Sequence, residues 1–196
     1  IEQAKTNDVA ELPKLVPVEL QARLHGTTGV DAIIGALRFR DVVKSKTGIQ
    51  QHHKLMDFGC GYGRHIRVFL KDVPASNIVG VDIDNSNLVE LKRYLPEVRA
   101  VLSREGEALP LPSSSIDHII SFSVFSHINE SSARFWINEL SRLLKPDGVI
   151  VITSWGSSIF DIFRRLEDTG RVNYAWEKNI DLAFQDKDKV REKYQR

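Results

Sequence analysis

At 196 residues the chain can bury one sizeable core and has little room for a second. Its 27 Lys and Arg residues nearly cancel 26 Asp and Glu, and the remaining +1 is spread along the sequence, so no charge field calls for nucleic acid or an anionic membrane as partner. The single cysteine, Cys60, excludes an intramolecular disulfide and a Cys-rich zinc site, and fits a reduced, cytoplasmic compartment.

No apolar stretch approaches the roughly 20 residues needed to span a bilayer, and no basic leader followed by an apolar run opens the chain. The sequence starts at Ile1 without a methionine, so we expect a piece of a longer protein. Residues 11–43, "ELPKLVPVELQARLHGTTGVDAIIGALRFRDVV", hold two prolines and then helical spacing at Val30, Ile34 and Leu37. That predicts N-terminal helices packed over the edge of a sheet, with residues 1–50 as a helical lead-in or lid.

From 51 to 156 short Val- and Ile-rich runs alternate with helical periodicity, the pattern of βαβ units. Strands are predicted over 54–58, 77–81, 98–102, 116–122 and 149–153. Ile66, Phe69, Leu70 and Val73 give one crossover helix a core-facing stripe, and Leu88, Leu91 and Leu95 give the next. A third helix, near 131–144, would bury Ala133, Ile137, Leu140 and Leu144. "KPDG" stops it: Pro146 cannot continue a helix, and Asp147 and Gly148 supply a turn into the last strand. Beyond 156 the sequence offers a helix around 158–166 and a charged ending, "DKDKVREKYQR", with no convincing strand. The expected fold is α/β, a doubly wound, mainly parallel sheet with helices on both faces, followed by a C-terminal helical segment over 157–196.

In such a sheet the turn after the first strand receives the ligand. Here it reads "MDFGCGYGR", with Gly59, Gly61 and Gly63 allowing a tight turn and close approach to backbone. A dinucleotide would set its pyrophosphate on the helix N-terminus and use G-x-G-x-x-G spacing. The spacing here is G-x-G-x-G, and Asp57 adds a negative charge. Two like unit charges about 4 Å apart repel by roughly 4 kcal/mol at an effective dielectric near 20, so a ligand carrying an ammonium or sulfonium fits better. A second acid, Asp82, ends the second strand. Either carboxylate could instead cap a turn or helix, although both face one crevice.

"LMDFGCGYGR" resembles the first motif of class I S-adenosylmethionine-dependent methyltransferases, and "VGVDID", "GEALPLPSSSIDHIISFSVFSHI" and "ELSRLLKPDGVIVITSW" are similar to later motifs of that family in the same order. The resemblance implies S-adenosyl-L-methionine as cofactor, with the glycine loop around its methionine part and Asp57 at its amino group. Asp82 would accept hydrogen bonds from the ribose hydroxyls, Ile83 would lie against the adenine, and Glu107 with Ala108 would meet the adenine edge. Arg64 would help hold the cofactor carboxylate, against the plainer reading of a packed first-turn arginine. Cys60, inside the loop, reads as a small packing residue that touches the cofactor. Ser123 joins the cofactor-contacting set, and Ser126 could hydrogen-bond a substrate. The family closes its sheet with an antiparallel strand pair, which the sequence after 156 does not show.

His127, after the fourth strand, lies where the family faces its acceptor, and a neutral imidazole suits removal of a hydroxyl proton during methyl transfer. His52, His53, His65 and His118 show no metal-ligand spacing. The segment after strand four lacks N-P-P-[YF], which weakens a nucleic-acid amine as acceptor. "ELQARLHGTTG" resembles the lead-in of bacterial methyltransferase domains found within or beside glycosyltransferases of cell-surface polysaccharide assembly. That implies a sugar hydroxyl as acceptor and a glycosyltransferase as fused or associated partner, with Arg23 and His25 on a lid helix. Two alternatives stand beside it: a methyltransferase acting on protein or nucleic acid, and a cofactor-binding module without catalysis.

Overall fold

The structure, a computed structural model, describes residues 12–25 and 28–153. The expected helix around 158–166 and the question of a closing strand pair lie outside them. Ten main elements run α1 (Val18–His25), α2 (Gly29–Thr47), β1 (Leu55–Phe58), α3 (Arg64–Phe69), β2 (Ile78–Asp82), α4 (Asn85–Tyr94), β3 (Arg99–Leu102), β4 (Ile116–Ser121), α5 (Glu130–Leu143) and β5 (Leu144–Ile152). The strands form one sheet in the order β3-β2-β1-β4-β5, parallel throughout.

Alternation along the strands separates two cores. Met56, Val79, Val101 and Ile119 face α5 and pack with Trp136, Ile137, Leu140 and Leu143. Leu55, Ile78 and Ile120 face the other way, toward Ile33, Ala36 and Val43 of α2, Ile66 and Phe69 of α3, and Leu88 and Leu91 of α4. Helices therefore cover both faces, as the doubly wound reading requires. At about 25 cal/mol per Å², each fully buried Ile or Leu contributes roughly 1.5–3 kcal/mol, and these two clusters carry the fold.

Four expectations change. The N-terminal helix α2 lies on a face of the sheet instead of its edge, and its buried stripe is Ile33, Ala36, Leu37 and Val43, while Val30 is exposed and Ile34 half-buried. Arg40 and Lys44 of that helix fasten it to Asp72 at 2.5 and 2.6 Å. Helix α3 ends at Phe69, before Leu70 and Val73, because Asp72 and Val73 turn back onto the Phe69 carbonyl ahead of Pro74. Val73 is still buried, so the apolar stripe outruns the helix. Leu144 is the first residue of β5, and α5 is completed by Leu143.

The fourth concerns "KPDG", which is a bulge inside β5 and not a turn before it. Ile116 pairs with Leu144 and His118 with Val149, so four residues oppose Asp117 alone. Pro146, with no N–H for the ladder, is tolerated there. Lys145 closes the bulge onto Asp117 at 2.8 Å, and a Cβ on Gly148 would stand 2.9 Å from the Asp117 carbonyl oxygen.

Candidate active site

The turn after β1 is spliced onto β2 by its backbone: the Gly59 and Cys60 N–H groups both donate to the Val81 carbonyl, at 2.8 and 2.9 Å. Gly59, Gly61 and Gly63 take φ of 79°, 54° and 83°, the left-handed region that glycine enters without strain. Close approach, however, is used by the protein itself at two of them. A Cβ on Gly59 would lie 2.1 Å from Val124 Cγ2, and one on Gly63 2.5 Å from Leu91 Cδ1. Only at Gly61 is the nearest neighbour, Leu24 of α1, at an ordinary 3.4 Å.

Two carboxylates flank this turn in different states. Asp82 accepts from the Gly61 N–H at 2.7 Å, from the Asp84 N–H at 2.9 Å and from Asn87 Nδ2 at 3.3 Å, so it is fixed at the end of β2. Asp57 is fully buried behind the turn, and neither of its oxygens has a hydrogen-bond partner among the described residues. Burial first, then the negative charge of Asp82, push its carboxyl up to about 7, against the opposing pull of Arg64. Such a group is costly unless a cation or donors meet it.

A cavity of about 580 Å³ opens over the turn. Gly59, Cys60, Gly61 and Arg64 form its floor; Asp82, Ile83, Asp84, Asn87 and Ser103 form the wall at the ends of β2 and β3; Phe122, Ser123, Val124, His127 and Ile128 form the wall after β4. Leu24 of α1 closes one side, and Arg23, one residue earlier, reaches Ser86 Oγ at 3.4 Å. Ile83 is two-thirds exposed at the rim. Arg64 is buried, its Nε without a partner among the described residues and its guanidinium 5.3 Å from the Phe122 ring; burial drives its pKa down. Phe39 meets His65 and Phe122 edge to face, and His65 lies tilted against Phe122, with centroids 4.7 to 5.2 Å apart. Cys60 is buried, and burial holds its thiol well above the ordinary range, which leaves it a packing group.

The segment after β4 is shaped by one unusual residue. Ser123 takes φ 64°, and its N–H donates to Thr153 Oγ1 at 2.7 Å, which holds the kink that brings Val124 over Gly59. His127, exposed in the cavity wall, donates its backbone N–H to the Val124 carbonyl. Asn129 then caps α5 by accepting from the Ser132 N–H at 2.9 Å.

Several residues singled out in the sequence stand apart from this wall. Glu107 is exposed, 3.6 Å from Arg104, and Ala108 is exposed beside it; neither lines the cavity. That loop is strapped down at the next residue, where the Leu109 N–H donates to Glu139 Oε1 at 2.7 Å and Leu109 and Leu111 enter the α5-side core. Its contribution to the cavity is Ser103, and Glu105 accepts from the Ser132 hydroxyl. Ser126 is outside the wall, with its hydroxyl buried. His118 sits far down β4, 2.8 Å from His53, and burial lowers it to about 4. Among the described residues no group of three His, Cys, Asp or Glu side chains is placed to hold a metal ion. Asn87 and Ser103 belong to no motif singled out in the sequence; Asn87 could have been found as the residue one helical turn past Asp84, whose carboxylate caps α4 by accepting from the Ser86 N–H at 2.8 Å.

Residues 56–152 match a protein family described as a methyltransferase domain. The chain is 27% identical over 161 residues to tRNA N(3)-cytidine methyltransferase METTL2 of Danio rerio, covering 74% of this chain and 45% of that protein. It is 28% identical over 100 residues to a probable S-adenosylmethionine-dependent methyltransferase of Mycolicibacterium smegmatis, covering 51% and 37%. The chain thus spans half or less of the length of these curated relatives. Among solved structures, the S-adenosylmethionine-bound CalS10, an amino pentose methyltransferase from Micromonospora echinaspora, superposes with a TM-score of 0.57 at 20% identity, over 73% of this chain and 58% of that one. That likeness establishes the shared fold.

Proposed function

We propose that residues 56–152, which match a methyltransferase domain and share the fold of a solved methyltransferase, bind S-adenosyl-L-methionine in the cavity over Gly59–Gly63 and transfer its methyl group to a hydroxyl of a small-molecule or glycan acceptor. One observation carries the cofactor assignment: Asp57, fully buried behind the turn with neither oxygen partnered among the described residues, is a carboxylate whose charged form a nearby cation would relieve. An ammonium group meets that need and a pyrophosphate would deepen the conflict. When bound, the cofactor supplies a methyl carbon on a positively charged sulfur.

This chain's residues do the rest. Asp57 and Arg64 offer opposite charges to the two ends of an amino-acid moiety, and Asp82, tied to Gly61, presents its remaining lone pairs to a diol. Ile83 supplies an apolar surface at the rim for a purine. His127 would accept the proton that the acceptor hydroxyl must lose on methylation. Alignment of the two reactants and exclusion of water by Leu24 and Phe122 supply much of the rate. The Danio rerio relative favours a second reading, transfer to a nucleobase nitrogen of tRNA, for which the balanced charge of +1 offers no supporting field.

Incubation with methyl-labelled cofactor and three acceptor pools, namely nucleotide sugars, oligosaccharides and unmodified tRNA, separates the readings. Label in a sugar pool supports the hydroxyl acceptor; label in tRNA alone replaces it with the second reading; cofactor binding without label in any pool would leave a binding module of a larger protein.

A further inference from the structure

Arg67, on α3, is fully buried, yet all of its hydrogen bonds among the described residues go to backbone carbonyls. Nη1 donates to the Tyr62 carbonyl at 2.6 Å and to the Gly63 carbonyl at 2.9 Å, and Nε donates to the Lys14 carbonyl at 3.2 Å. The guanidinium also lies 5.7 Å from the Tyr62 ring and 5.9 Å from the Tyr94 ring at the end of α4. A buried guanidinium is an expensive way to stabilise a fold, because its desolvation is offset fully only by charged partners. Its targets here are the two peptides that join Gly61 to α3.

We propose that Arg67 is a positioning residue for the cofactor: by holding the Tyr62 and Gly63 carbonyls it fixes the shape of the glycine turn, and through Lys14 and Tyr94 it ties that shape to the segment before α1 and to α4. The Tyr62 and Gly63 peptides have their C=O groups turned toward the guanidinium. The first of them has its N–H taken by the Cys60 carbonyl at 2.9 Å, which leaves it little rotational freedom. Leu91 of α4 and Leu95, the residue that follows that helix, press on the Cβ side of Gly63, with Arg67 Nη1 3.4 Å from the same point. Without the guanidinium the Tyr62 and Gly63 carbonyls lose a donor each, and the turn gains alternatives to the form that Asp82 grips at Gly61. Arg rather than Lys is required because one planar group must reach carbonyls on two separate segments. The inference rests on the cofactor assignment above for its binding readout, and on the turn alone for the second.

Two variants and two readouts test it. Arg67→Met keeps the stem and loses every donor; Arg67→Lys keeps charge and can serve one carbonyl at a time. Hydrogen exchange of the amides from Gly61 to Arg64 in the cofactor-free protein should accelerate at least tenfold in Arg67→Met and by less in Arg67→Lys, while amides of β1 and β4 keep their protection. Calorimetric titration should show affinity for S-adenosylmethionine lost by at least tenfold in Arg67→Met and partly restored in Arg67→Lys, with acceptor KM unmoved. Unchanged turn exchange in both variants overturns the proposal whether or not the cofactor assignment holds. Faster exchange with unchanged affinity overturns the link to the cofactor, and wild-type protein that binds no S-adenosylmethionine overturns that link together with the assignment. If Arg67→Met does not fold, Arg67→Lys alone decides by the same two measurements.

Discussion

Replacing Asp57 by Asn should make the cofactor-free protein more stable while removing its function. The carboxyl is fully buried, without a hydrogen-bond partner among the described residues, and raised from 3.8 to about 7 by burial and by Asp82. At about 1.36 kcal/mol per pKa unit, a shift of about 3 units sets a ceiling of roughly 4 kcal/mol on what the charged group costs the folded state above pH 7. Asn keeps the shape and drops the charge, but its own amide lacks partners and returns about 1–2 kcal/mol. The net gain is then about 2 kcal/mol, or a rise of roughly 4–8 °C in Tm for a chain of this size. The sign with pH follows from the raised value. The folded state holds a proton between 3.8 and about 7 that the unfolded state has released, so the wild type loses stability as pH rises through that window. Thermal melts of both proteins near pH 5 and near pH 8 check this: the advantage of Asp57→Asn should be large at the higher pH and shrink at the lower. A variant that melts below the wild type near pH 8, or a gap that does not change with pH, would mean that Asp57 carries no buried-charge penalty. The same substitution should weaken cofactor binding at least tenfold, because an amide cannot neutralise an ammonium.

His127→Ala should lower kcat by about 10²–10⁴ with cofactor Kd unchanged, measured by transfer assay and calorimetry on one preparation; equal losses in Kd would instead mark it as a cofactor contact. Gly59→Ala should cost at least about 2 kcal/mol by denaturant titration, since its Cβ meets Val124 at 2.1 Å and φ is 79°, and Val124→Ala in the same chain should recover part of that loss. Asp72→Asn should cost about 1–3 kcal/mol in the same titration, because Arg40 and Lys44 both hydrogen-bond its nearly buried carboxylate while Arg40 keeps Asp41 and Lys44 keeps solvent, and it should leave the cofactor site intact.

The sheet is legible in the sequence because its signal is periodic and local. Val- and Ile-rich runs mark all five strands to within a residue or two, except at β5, where a bulge around Pro146 is invisible to patterning because it depends on the partner Asp117. The buried face of α2 is not legible in the same way, since Leu37 stands at helical spacing both to Val30 and Ile34 and to Ile33, and only packing decides that Ile33, Ala36 and Val43 join it in the core. In the site, Asp57, Gly61 and Asp82 stand out as chemistry at strand ends, the place where a doubly wound sheet binds. What the sequence hides is tertiary: that Gly59 and Gly63 yield their space to Val124 and Leu91, that Ser103 and not Glu107 reaches the cavity wall, and that Arg67 is turned inward.

In the proposed assignment a cationic cofactor, held by Asp57 and Asp82, occupies the cavity over the glycine turn, and calorimetric titration of the wild type and of Asp82→Ala with S-adenosylmethionine and with NAD is its sharpest test. Saturable one-to-one binding of S-adenosylmethionine, no heat from NAD, and at least a tenfold loss of affinity in Asp82→Ala are the predicted results. Binding of NAD in preference, or S-adenosylmethionine affinity untouched by the loss of Asp82, would contradict it.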